Sequence, residues 1–184
     1  MSFSSSRQSA SSSKIDTGIL GEDLVAKWLT QEGWQILHRR WQCRWGELDI
    51  IALKTSPLED NQAQKFPILV FVEVKTRSRG NWDKNGLLAV TEAKQAKLWQ
   101  TAEIFLSDRP ELADCSCRFD VALVKCNYTQ KNYPQSKCLS KCLSLEEQLS
   151  KFTIKVGHSV ELAGYQLVLQ NYIPSAFISA SDLY

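Results

Sequence analysis

The chain has 184 residues, 43% of them hydrophobic, which suits one ordinary domain with a real core. Its net charge is +2, too small for a global field that would collect nucleic acid, so any basic site must be local. No apolar stretch is long enough to span a bilayer, which points away from a membrane partner.

Residues 1–14, MSFSSSRQSASSSK, are serine-rich, lack an apolar core of the secretory kind, and read as a disordered tail. Residues 15–184 read as one domain. The spacing predicts a helix over 17–32, with Thr17 as N-cap and Gly33 as stop. Leu20, Leu24, Val25, Trp28 and Leu29 share its apolar face, and Glu22 falls on the border of that stripe. WQILHRRWQ (34–42), a CRWG turn and ELDIIAL (47–53) read as two strands. A polar loop at 55–67 leads to a third strand at 68–76, and the three make an antiparallel meander. SRGNWDKNG is a loop, followed by a helix from about 88 to 106 and a strand at 118–126, RFDVALVKC. A helix between two strands implies a crossover and a parallel pair. Residues 127–156 read as a polar insertion with a short helix near LSLEEQL; FTIKV and YQLVLQNYI are strand candidates.

The third strand raises the chemical question. Glu73 and Lys75 sit inside the apolar run LVFVEVK, on one face because side chains alternate along a strand. Asp49 stands in the neighbouring strand. If the register brings Asp49 to Glu73, two carboxylates about 4 Å apart repel by about 4 kcal/mol at an effective dielectric of 20. A proton or a cation must relieve that. A hard divalent ion, Mg²⁺ or Mn²⁺, suits such an oxygen-rich site, and Lys75 beside it would orient water or stabilise charge on phosphorus-bound oxygen. The other reading is an ion pair that only holds the sheet together, although such pairs do little for stability. On the following helix Lys94 falls inside the apolar arc with Lys97. It either snorkels to the sheet edge or reaches the face of Glu73 to bind phosphate.

GEDLVAKWLTQEGWQILHRRWQCRWGELDIIAL, LVFVEVKTRS, AVTEAKQAKL and CRFDVAL, in that order over about residues 18–125, resemble the YraN family of bacterial proteins. The resemblance implies a restriction-endonuclease-like α/β fold. Its mixed sheet would combine the antiparallel meander with a parallel crossover strand, flanked by helices. It also implies a metal-dependent phosphodiesterase site in which Asp49 and Glu73 bind the metal, Lys75 is the catalytic lysine, and Glu22 and Lys94 complete the catalytic set.

Arg39, Arg40, Arg44, Arg77 and Arg79 could line one end of the meander and meet a phosphate backbone, or form a solvated rim. Trp41, Trp45 and Trp82 lie among them and either stack on unpaired bases or pack on sheet faces. Of the six cysteines, Cys115-x-Cys117 and Cys138-xxx-Cys142 do not match paired zinc spacing, and all six read as free thiols. The expectation is a cytoplasmic Mg²⁺- or Mn²⁺-dependent endonuclease acting on DNA, with a preference for branched or damaged structure by fold analogy. The rivals are a non-catalytic nucleic-acid-binding module and a protein-interaction module keeping the same fold. Related folds often act as homodimers, and nothing in the sequence marks a dimer face.

Overall fold

The computed structural model describes residues 16–55, 67–78, 90–129 and 144–177. The Ser-rich segment, Arg79, Trp82, Cys138 and Cys142 lie outside the described residues. The chain order is α1 (Thr17–Gln31), β1 (Gln35–Cys43), β2 (Gly46–Lys54), β3 (Ile68–Arg77), α2 (Glu92–Ser107), β4 (Ser116–Tyr128), α3 (Leu145–Ser150), β5 (Ser159–Leu162) and β6 (Tyr165–Phe177). One six-stranded sheet runs β1-β2-β3-β4-β6-β5. β1, β2 and β3 form the antiparallel meander, and β3 pairs parallel with β4 across α2. This is the α/β mixed sheet flanked by helices that the sequence implies.

Two cores fill the two faces. Leu20, Leu24, Val25 and Leu29 of α1 pack with Ile50, Val70, Val72, Ala122 and Val124 on one side. Each is fully or nearly fully buried, which stabilises by about 2 kcal/mol per side chain relative to exposure. Leu98, Ala102 and Phe105 of α2 cover Ile51, Leu69, Phe71, Phe119 and Leu123 on the other. Gly21 sets the approach of α1 to the sheet: a Cβ there would stand 2.0 Å from Thr76 Oγ1 and 3.2 Å from Thr76 Cβ. That contact seats the first turns of α1, and so Glu22, against the C-terminal end of β3.

Several boundaries differ from the sequence expectation. The N-cap of α1 is Asp16, not Thr17; its carboxylate accepts from the Gly18 N–H at 2.8 Å. Helix α2 begins at Glu92, capped by Thr91, rather than near residue 88. FTIKV is not a strand, because the Ile154 N–H donates instead to Gln31 Oε1 at 2.9 Å. The short helix of the insertion does form, with a complete capping box between Ser144 and Glu147 and with Leu149 buried. No helix among the described residues is long and apolar enough to cross a membrane.

Candidate metal and catalytic site

The site lies where the meander stops being a simple sheet. β2 and β3 pair from Lys54↔Ile68 to Ile50↔Val72, and the rung that would join Asp49 to Glu73 is missing from the ladder. The pairing of β1 with β2 continues past that point to Cys43↔Gly46, and that of β3 with β4 continues to Arg77↔Lys125. Two ribbons therefore diverge from the Ile50–Val72 rung, with Asp49 and Glu73 at the fork.

The β1–β2 ribbon also turns over at this place. Leu48 and Ile50 are two residues apart and would ordinarily share a face. Here Leu48 joins the α2-side core and Ile50 the α1-side core. Across from Asp49, Arg40 takes φ +49°, a left-handed conformation rare for a long side chain. The turn is fixed by ion pairs to α1. Arg40 Nε donates to Glu22 Oε2 at 2.5 Å, and Arg39 pairs with Asp23. Beyond it Trp41 packs edge-on against Phe105, ring centres 5.3 Å apart.

Glu73 is 4% exposed. Its Oε1 accepts from Lys75 Nζ at 2.5 Å, and Lys94 Nζ stands 3.6 Å from the same oxygen. Of the two lysines read into the apolar arc of α2, Lys94 therefore reaches Glu73 while Lys97 is exposed. Glu73 Oε2 is buried without a hydrogen-bond partner. Asp49 Oδ2 accepts from the Val74 N–H at 2.7 Å, taking up a backbone donor freed by the parting strands. Burial first, then the charge of Glu73, pushes the Asp49 carboxyl up to about 7; the Val74 N–H opposes this, Glu22 adds to it, and Lys75 opposes it weakly. Glu22 of α1 and Glu73 and Lys75 of β3 thus act on the charge of Asp49 in β2, and Lys94 of α2 joins Lys75 beside Glu73. The donor set suits a hard cation: a carboxylate short of positive charge beside a buried carboxylate oxygen with no donor. Among the described residues no group of three or more His, Cys, Asp or Glu is placed to hold a metal ion, so the acidic donors to test here are the pair Asp49 and Glu73.

The arginines divide. Arg39 and Arg40 are engaged by α1 carboxylates, whereas Arg44 is exposed at the hairpin tip and Arg77 is exposed at the end of β3. Sequence reasoning missed a second buried charge, Asp120, at 0% exposure within the apolar strand β4. It accepts from Tyr172 Oη at 2.5 Å, the Ser175 N–H at 2.9 Å and the Arg118 guanidinium at 3.1 Å. Burial and Asp120 together hold the Tyr172 hydroxyl protonated. The signal that singles out Asp49, a carboxylate inside apolar residues, was equally present in RFDVALV. What separates the two is their surroundings: Asp120 accepts from Tyr172, Ser175 and Arg118, whereas Asp49 accepts from the Val74 N–H and faces the charge of Glu73.

A mixed sheet that parts around an Asp, a buried Glu and two lysines defines an α/β protein with a carboxylate–lysine site. The chain belongs to the uncharacterised protein family UPF0102, whose sequence model matches residues 21–124, a span that holds these four side chains and Glu22. It is 72% identical over 180 residues to a UPF0102 protein of Trichodesmium erythraeum (strain IMS101), covering 97% of this chain and 98% of the relative. A UPF0102 protein of Acaryochloris marina (strain MBIC 11017) is 47% identical over 171 residues, covering 93% and 95%. One from Trichormus variabilis is 45% identical over 165 residues, covering 90% and 96%.

Proposed function

We propose that the chain is a Mg²⁺- or Mn²⁺-dependent phosphodiesterase of the cytoplasm that cuts DNA, with branched or damaged structures as its preferred substrates. The observation that carries this reading is the pairing of a charge-starved Asp49 with the buried, unpartnered Oε2 of Glu73 at the fork of the sheet. Desolvated like charges are costly, and the buried Glu73 Oε2 has no donor to offset that cost. A cation between them would remove that cost. When bound, such an ion supplies Lewis acidity toward a phosphodiester oxygen.

The remaining work falls to the protein. Asp49 and Glu73 would hold the ion through their carboxylate oxygens. Lys75, held to Glu73 at 2.5 Å, orients the attacking water or stabilises the negative charge that grows on the phosphoryl oxygens. Lys94, at the start of α2, reaches toward the same phosphate. Glu22, anchored by Arg40, sits at the rim and accepts a proton or holds a water there.

A second reading, a nucleic-acid-binding or protein-interaction module that keeps the fold without cutting, rests on the Lys75–Glu73 contact, which gives Glu73 a counter-charge without any ion. A panel of duplex, single-stranded, flap and four-way-junction DNA with Mg²⁺ or Mn²⁺ separates the two. Cleavage lost on chelation supports the enzyme; binding without cleavage under every condition supports the module.

A further inference from the structure

The tip of the β1–β2 hairpin carries a feature that the site above does not use. Among the described tryptophans, Trp28 packs on Tyr172, Trp41 on Phe105 and Trp99 on Phe119, while Trp34 is 8% exposed. Trp45 is 46% exposed. A single exposed apolar side chain needs no explanation by itself. This one is placed, supported and charged. It sits on the ribbon that runs on past the fork, four residues from Asp49. The Trp45 N–H donates to Cys43 Sγ at 3.4 Å, which tightens the turn. Gly46 abuts α2, where an added Cβ would stand 3.0 Å from Thr101 Oγ1, so the tip is braced against a helix. The Arg44 guanidinium lies over the indole, 5.0 Å from the ring centre. The pair therefore presents an aromatic face with a cation on it, the combination that suits a base and its phosphate.

We propose that Trp45, with Arg44 on its ring, is a stacking platform for an unpaired base of a single-stranded nucleic acid, about 13 Å along β2 from Asp49. That span equals about four stacked nucleotide steps at about 3.4 Å each. The platform would engage a flanking single strand while the phosphate to be cut lies at the fork, and so would give the site its preference for structure over sequence. The inference rests on the nucleic-acid reading above, but it concerns binding and does not depend on cleavage.

The test uses the full chain carrying Glu73→Gln, so that no strand is cut, with and without Trp45→Ala, Trp45→Phe and Arg44→Gln. Fluorescence anisotropy measures binding to a short oligothymidylate and to a blunt duplex of equal length; circular dichroism checks folding. Trp45→Ala should weaken oligothymidylate binding about 10-fold, the scale of one lost base–aromatic stack. Trp45→Phe should keep most of the affinity, Arg44→Gln should lose part of it, and duplex binding should not change with Trp45→Ala. The proposal is overturned if Trp45→Ala weakens both ligands equally or neither. It is also overturned if that variant breaks a homodimer in sedimentation while oligothymidylate affinity stays, since the tryptophan would then be a protein contact. A chain that binds no nucleic acid at all overturns both this inference and the nucleic-acid reading. A chain that stacks a base through Trp45 and never cuts overturns only the hydrolysis.

Discussion

The Val74 N–H donates to Asp49 Oδ2 at 2.7 Å across the point where β2 and β3 part. A side chain has replaced the next rung of the ladder, so the sheet opens without leaving this backbone donor unpaired. The same bond holds Asp49 where the charge of Glu73 acts on it. From it follows a metal prediction. Mg²⁺ or Mn²⁺ should raise the melting temperature, because an ion that binds only the folded state stabilises it by linkage. The double variant Asp49→Asn with Glu73→Gln should stay folded and lose that shift. Titration calorimetry giving equal binding for wild type and double variant would remove the ion from the account.

Proton linkage gives the second prediction. In the folded chain without metal, Asp49 titrates near 7, against an ordinary value of 3.8. The folded state then holds more protons than the unfolded state between those values, so the contribution of Asp49 to stability is fully present below about 4 and is lost as pH rises toward 7. Urea denaturation across that window should show a falling stability that Asp49→Asn flattens. Metal affinity should move the other way and tighten as pH rises, because the ion competes with the proton. A pH-independent affinity would contradict the assignment of Asp49 as a ligand.

How much of this was legible in the sequence differs residue by residue. The meander, the parallel pair and the inward face of α1 followed from periodicity, since Leu20, Leu24, Val25 and Leu29 obey helical spacing. That Asp49 feels the charge of Glu73 was only a conditional of strand register in the sequence, and the ladder itself stops one rung short of that pair. The turnover of the hairpin did not follow from periodicity, because alternation assumes a regular strand and the left-handed Arg40 breaks it. Nor did the distinction between Asp49 and Asp120. Both are carboxylates in apolar strands, and only the donors of Tyr172, Ser175 and Arg118, two of them more than 50 residues away, show that Asp120 is structural.

That contrast is itself testable. Asp120→Ala strands Arg118 and the Tyr172 hydroxyl beside a cavity, so it should cost about 3–5 kcal/mol, the scale of breaking a buried pair from one side. The metal-induced shift in melting temperature should survive in whatever remains folded. Denaturant titration with and without Mg²⁺ measures both. A variant of wild-type stability that no longer responds to metal would make Asp120 part of the site.

Arg40 offers a test of strain. Its left-handed backbone favours glycine over any residue with a Cβ by about 1 kcal/mol or more. Both Arg40→Ala and Arg40→Gly lose the pair with Glu22, so their difference isolates the backbone. Arg40→Gly should be the more stable of the two by about 1 kcal/mol in urea denaturation, the reverse of the usual order within strands.

Lys75→Met decides most directly whether the fork is a catalytic site. The substitution keeps most of the volume and removes the charge, while both carboxylates remain to hold the ion. Parallel denaturation and cleavage assays on the DNA structure cut best by wild type should show a folded protein that still binds metal and cuts about 100-fold more slowly, the scale of losing one preorganised charge stabiliser. A variant that loses several kcal/mol of stability, as a broken structural pair would, and whose folded fraction cuts at the wild-type rate would contradict the catalytic reading of Lys75.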